Sequence, residues 1–294
     1  MKNHKALYFM LVPGLLYLLV FKYIPLLGSV IAFQDFNVFK GFLKSDWVGF
    51  RWFEQFLTFP QFTRLLKNTL IISLYQILFA FPAPIILAVL LNEVRKMAFK
   101  RFAQTVLYLP HFLSWVLIGG LSTMLFSQNY GLVNQLIENF GGDKVNFLLD
   151  SDYIRTIIVS TGIWKEMGWS AIIFLAALAG INPSLYEAAG IDGAGRFKQF
   201  LHVSLPGMMP AIVILLLLKI GHILDNGFEQ VYVFLTPATF DKADVLDTFM
   251  YRMGIRQSMY SLTTAVGLFK SVVGLALLVI ANRFSKKITG EGLY

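Results

Sequence analysis

LPGMMPAIVILLLLKIGHIL, residues 205–224, carries a single charge, Lys219, along its whole length. A helix rises about 1.5 Å per residue and the hydrocarbon core of a bilayer is about 30 Å thick, so ~20 apolar residues are what one crossing needs. A soluble amphipathic helix would alternate an apolar stripe with a charged face. This run has no such face. Five further stretches have the same character, approximately residues 7–33, 66–91, 106–126, 154–181 and 262–281. Composition agrees. Hydrophobic residues make up 56% of the 294 and charged residues 14%, against roughly 45–50% and about 25% in soluble domains, and a soluble fold of this length could not hide so much apolar surface. The absence of cysteine excludes thiol chemistry and a disulfide scaffold. The expectation is therefore an all-α membrane protein with six transmembrane helices in one domain spanning residues 1–294. The first run opens on Lys2 and Lys5 as a signal peptide would. It is too long for a signal core of about 7–15 residues and no small-x-small cleavage site bounds it, so it is read as retained. Pro82 and Pro84 should kink the second span.

The formal charge of +8 invites a nucleic-acid partner, and its placement argues against one. The segments 1–5, 92–102, 182–204 and 282–294 together hold eleven Lys or Arg and four acids. The alternate segments 34–64, 127–152 and 225–261 hold eight and twelve. Basic residues concentrate on the cytoplasmic side of membrane proteins. The asymmetry puts both termini in the cytoplasm, as an even number of spans requires. Segment 92–102, with Arg95, Lys96, Lys100 and Arg101, suits an anionic inner leaflet. The long outward loops 34–64 and 225–261, rich in aromatics and acids, can present a surface to something outside.

Upstream of residue 205 lies the loop that carries most information. Asn182-Pro183-Ser184 is a helix start, with Asn as cap and Pro in the first helical position. A short helix with the small pair Ala188-Ala189 follows, and Asp192-Gly193-Ala194-Gly195 ends it. A small-residue patch permits close approach of a partner, and a socketed Glu187 would need a counter-charge. Local physics leaves two readings open, a docking element or an ordinary amphipathic connector.

The pattern Glu187-Ala188-Ala189, Gly193 after three residues, then Val203 and Leu205-Pro206 resembles the EAA signature of permease subunits of bacterial ATP-binding-cassette importers, with Val where the family has Ile. Asp192-Gly193-Ala194 and Pro210 resemble the extended form found in sugar importers. Residues 21–37 (FKYIPLLGSVIAFQDFN), 108–116 (YLPHFLSWV), 163–169 (IWKEMGW) and 175–197 are similar to the subgroup that imports oligosaccharides from complex polysaccharides. The resemblance implies a heterodimer with a second, related permease, two cytoplasmic ATPase subunits and an extracellular lipid-anchored solute-binding protein. It implies a coupling helix between spans 4 and 5 that docks in a cleft of the ATPase, with Glu187, Ala188, Ala189, Asp192, Gly193 and Ala194 as coupling residues. ATP and Mg²⁺ are then expected on the ATPase and no cofactor on this chain.

Other chemistries lack the residues they need. GIDGAGRF, residues 190–197, has glycines at phosphate-loop spacing, but Arg196 and Phe197 stand where Lys and Ser or Thr must be. His4, His111, His202 and His222 form no metal-ligand pattern, and no GxSxG turn exists, so neither a metal site nor a catalytic residue is expected. Charges inside spans are functional candidates, since placing one at the bilayer centre costs roughly 2.5–3.5 kcal/mol or more. Lys165 and Glu166, flanked by Trp164 and Trp169, sit midway along the fourth span. They are candidates for an aromatic-lined sugar pathway, or for pairs that hold the bundle together. Neighbours on a helix diverge by about 100°, so the two are not expected to face one neighbour squarely. Lys219 and Lys270 are weaker candidates. Lys22 and Arg155, near span ends, read as snorkelling cations. His111 and Trp115, four apart after Pro110, are expected on one helical face of the third span, lining the cavity or anchoring at the interface. The rival functions are a permease for a non-sugar solute and an ion-gradient-driven secondary transporter, for which no inverted-repeat halves are seen.

Overall fold

The computed structural model describes residues 5–290 and 292–293; Lys2 and His4, in the basic N-terminal segment, lie outside them. Among the described residues, five helices are long and apolar enough to cross a membrane: α1 (Tyr8–Phe33), α2 (Phe62–Glu93), α5 (Ser151–Ala179), α7 (Arg196–Gly221) and α8 (Tyr260–Lys287). The third expected span, 106–126, is not one helix. It is the pair α3 (Met97–Phe112) and α4 (Trp115–Phe126), bent by 104°, which makes a sixth crossing only as a broken span. The cause is local. Pro110 has no N–H to donate, and residues 109–112 tighten into a 3₁₀ turn. Ser114 then starts α4 afresh, its Oγ accepting from Leu117 N at 3.3 Å.

Three spans share a second irregularity. Residues 19–23, 76–80 and 200–204 form π turns, and the N–H groups of Ile24, Phe81 and Leu205 donate to carbonyls five residues back. Each of those three residues precedes a proline: Pro25, Pro82 and Pro206. The proline ring crowds the carbonyl four residues back, and the widened turn accommodates that crowding. In α7 the consequence is continuity: residues 196–204, expected as loop, run on into the span, which therefore begins nine residues earlier than its apolar run. α6 (Pro183–Ile191) is the short helix expected before it, with Asn182 Oδ1 accepting from Ser184 N at 3.1 Å.

The chain divides into two compact units. One comprises the chain up to Phe62 with Phe249–Val272. In it, strands β1 (Gln34–Asp35) and β2 (Asp46–Trp47) pair antiparallel, and Trp52 Nε1 donates to Gln34 O at 2.8 Å. Its core is aromatic: Phe56, 1% exposed, meets Phe62 edge-on at 5.0 Å and Phe269 at 5.5 Å. Phe39 and Leu43, at the hairpin tip, are fully exposed.

The other unit comprises Thr63–Thr248 and the chain from Val273 onward. One core cluster joins Ile72, Ile118, Ile154, Ile158, Val231 and Val245, and a second joins Ala88, Ala171, Phe174, Leu178 and Met208. Between helices and loop, buried Asn68 donates to the carbonyls of Asp241 and Asp244, both at 3.0 Å, and accepts from Arg155 Nη2 at 2.7 Å. Arg155 also donates to Lys242 O, so it does not snorkel: an unpaired buried amide would cost more than its freedom is worth.

Candidate functional site

α5 brings its charged pair to the bend between α3 and α4. Lys165, 6% exposed, donates from Nζ to the carbonyl of His111 and lies 3.4 Å from Glu166 Oε1. Glu166 Oε2 lies 2.8 Å from His111 Nδ1. Both side chains thus reach one residue, contrary to the expectation from their divergence along the helix. They are long enough to curl towards each other once the 3₁₀ turn lifts His111 over them. Trp169 stacks on the His111 ring, centroids 4.5 Å apart and planes 2° from parallel, with Phe112 edge-on to the same indole. His111 and Trp115 do not share a helical face, because the bend falls between them. They meet again through Lys165, whose Nζ is 5.7 Å from the Trp115 ring. Trp164, also a candidate, is 43% exposed and stands apart from this cluster. Gly168 makes the approach possible, since a Cβ there would overlap the carbonyl of Leu107.

A cavity of about 610 Å³ opens beside this cluster, bounded by α2, α5, α7 and residues 225–230. Glu166 is the member of the cluster that reaches it. Lys219, near the end of α7, lines it too and donates to Gln76 Oε1 at 2.8 Å. Gln76 is presented by the π turn of α2. Asn226 donates to Ser73 Oγ at 2.8 Å and Thr69 O at 3.2 Å, while its own Oδ1, buried, has no hydrogen-bond partner among the described residues. Gln230 donates to Ile158 O at 2.6 Å. Phe81 and Phe174, edge to face at 6.3 Å, form an aromatic wall. Lys270, half-buried on α8, is not among the lining residues. Sequence reading passed over Gln76, Asn226 and Gln230. A neutral amide within or beside an apolar span is the signal that was available, because it needs a polar partner as a charge does.

The third polar region is the turn after α6. Gly193 has φ +75°, a conformation glycine adopts without penalty, and Ala194 N donates back to Ala189 O at 2.9 Å. Gln199 Nε2 donates to Ala194 O at 3.1 Å, and Tyr186 OH pairs with Ser204 Oγ at 2.9 Å, which tie α6 to the start of α7. Arg196 reaches Glu93 at the end of α2, 3.4 Å away. Glu187, Ala188, Asp192 and Gly193 are exposed, Ala189 and Ala194 partly so, and Ile191 is 87% exposed.

The sequence pattern of the family described as binding-protein-dependent transport system inner membrane component matches residues 80–290, which takes in α5, the α6 turn and α7. The chain belongs to this permease family. Among curated relatives, Protein LplB of Bacillus subtilis is 50% identical over all of this chain and 92% of its own length. The polygalacturonan/rhamnogalacturonan transport system permease protein YteP of the same organism is 49% identical over 99% of this chain and 91% of its own length. A solved chain of a bacterial alginate ABC transporter, in complex with alginate pentasaccharide-bound periplasmic protein, superposes with TM-score 0.90 at 39% identity, covering 99% of this chain and 98% of that one. A family member of this kind is a multi-pass transport subunit rather than a catalyst.

Proposed function

We propose that this permease is one of two related membrane subunits of an ATP-driven importer that carries oligosaccharides derived from complex polysaccharides across the bacterial cytoplasmic membrane, with both termini inside. Full-length likeness to a polygalacturonan/rhamnogalacturonan transport permease at 49% identity, and to a chain of an alginate ABC transporter at 39%, carries the carbohydrate reading. In this reading α6 sits in a cleft of a separate ATPase, where ATP and Mg²⁺ bind, and a solute-binding lipoprotein docks outside. Glu187, Ala188, Ala189, Asp192, Gly193 and Ala194 are the coupling residues. α7 supplies the mechanics. It is 26 residues long, roughly 40 Å at the helical rise. The α6 turn is bonded to its first residues and Lys219 lies near its last. A push on α6 is therefore carried to the cavity along one continuous span. Glu166, Lys219 and the amides would offer hydroxyl partners, and Phe81 and Phe174 a face for sugar C–H groups.

A mild-detergent pull-down of the tagged chain, with mass spectrometry of what co-purifies, tests the assembly. An ATPase, a second permease and a solute-binding lipoprotein are the expected companions. A chain that stays alone or homodimeric after crosslinking in the membrane, with uptake driven by a proton or sodium gradient, would replace the importer by a secondary transporter.

A further inference from the structure

We infer that the cavity between α2, α5 and α7 is a subsite for an acidic sugar residue, with Lys219, held by Gln76, receiving the ligand carboxylate. The inference deepens the carbohydrate reading above and rests on it. Lys219 supplies the only Lys or Arg side chain among the lining residues. An ammonium has three donors, and Gln76 Oε1 occupies one at 2.8 Å. Gln76, 7% exposed, is itself fixed in the π turn before Pro82, so the ammonium is aimed rather than mobile. The other titratable groups lining the cavity are Glu166, His222 and Asp225. Glu166 is already committed to Lys165 and His111 on its other side, His222 Nδ1 is 2.9 Å from Leu218 O, and Asp225 attracts the Lys219 ammonium. These acceptors suit sugar hydroxyls, which donate to them. Lys219 is the one cation on the lining, and a ligand carboxylate would share it with Asp225.

Asn226, 2% exposed, braces one side of the cavity through its bonds to Ser73 and Thr69. An acid to fix and the Phe81–Phe174 wall to pack on describe a uronate ring better than a neutral hexose or an amino acid, whose ammonium Lys219 would repel.

The test uses the complete importer in liposomes with its binding protein and internal ATP, reading sugar imported and ATP hydrolysed together. The probes are uronate oligosaccharides of about two to five residues from polygalacturonate and alginate digests, and neutral malto-oligosaccharides. The wild type should import acidic probes. In Lys219→Gln the ratio of sugar imported to ATP hydrolysed should fall at least tenfold, and Lys219→Arg should recover most of it. A parallel fall in both, leaving the ratio unchanged, would make Lys219 a structural residue and overturn the inference. Import of neutral probes alone would also overturn it while leaving the carbohydrate reading standing. If the wild type imported neither class, that reading would fail and the subsite with it.

Discussion

Replacing Gly168 by Ala is the sharpest test of how α5 meets the end of α3. A Cβ at residue 168 would lie 2.6 Å from the Leu107 carbonyl carbon and 3.2 Å from Tyr108 N, besides overlapping the Leu107 carbonyl oxygen. These are backbone atoms, so no rotamer change relieves the clash. Either α5 or α3 must shift, and the Lys165–His111 and Glu166–His111 bonds lie within one turn of the contact. Overpacking of this kind costs roughly 1–3 kcal/mol, and a backbone obstacle belongs at the upper end. Gly→Ala in a helix returns up to ~1 kcal/mol. The net is on the order of 2 kcal/mol. Gly120, on α4, is the control: a Cβ there meets nothing within 4 Å, so Gly120→Ala should be neutral or stabilising by ~0.5–1 kcal/mol. At about 2–4 °C per kcal/mol, thermal unfolding of the detergent-purified chain should separate the two variants by on the order of 5–10 °C. Equal melting temperatures, or a more stable Gly168→Ala, would refute the close-contact reasoning.

The remaining predictions concern bonds and coupling. Asn68→Ala removes three hydrogen bonds and leaves Arg155 Nη2 and two carbonyls with a lost partner; a loss of roughly 3 kcal/mol is expected, read as a lower melting temperature, and an unchanged one would show the loop at 241–244 is held otherwise. Tyr186→Phe deletes the bond to Ser204 and should cost about 1 kcal/mol, lowering the ratio of transport to ATP hydrolysis if α6 and α7 move as a lever; an unaltered ratio would show that this bond does not carry the movement. Gly193→Val places a β-branched residue at φ +75°, a strain of about 1–2 kcal/mol; this variant, and separately Glu187→Lys, should abolish uptake while solute binding by the external protein persists. Normal uptake in both variants would end the coupling assignment.

Single-chain reading reached the α6 start well, since the Asn182 cap and Pro183 act within three residues and no distant group competes. It found five of the six spans for a similar reason: an apolar run answers to the bilayer, which is the same everywhere along the chain. The third span defeated it. The run 106–126 is apolar throughout, and hydrophobicity carries no record of direction. Pro110 and Ser114 were visible, but whether they bend a helix or break it by 104° depends on what fills the gap. Here α5 fills it, by pressing Gly168 against Leu107 and turning Lys165 and Glu166 onto His111. Arg155 shows the same limit, because its partner Asn68 is 87 residues away.

What the amino-acid sequence alone determined is therefore the membrane solvent, the spans it dictates, the capped turn before α7 and, through the EAA pattern, the family. Each depends on neighbours within a turn or two, or on a medium common to every residue. What the tertiary structure decided is which polar side chains meet: Lys219 with Gln76 across 143 residues, and Glu166 with His111 across 55. Such pairs are set by helix packing, and an isolated charge in a span announces only that a partner must exist.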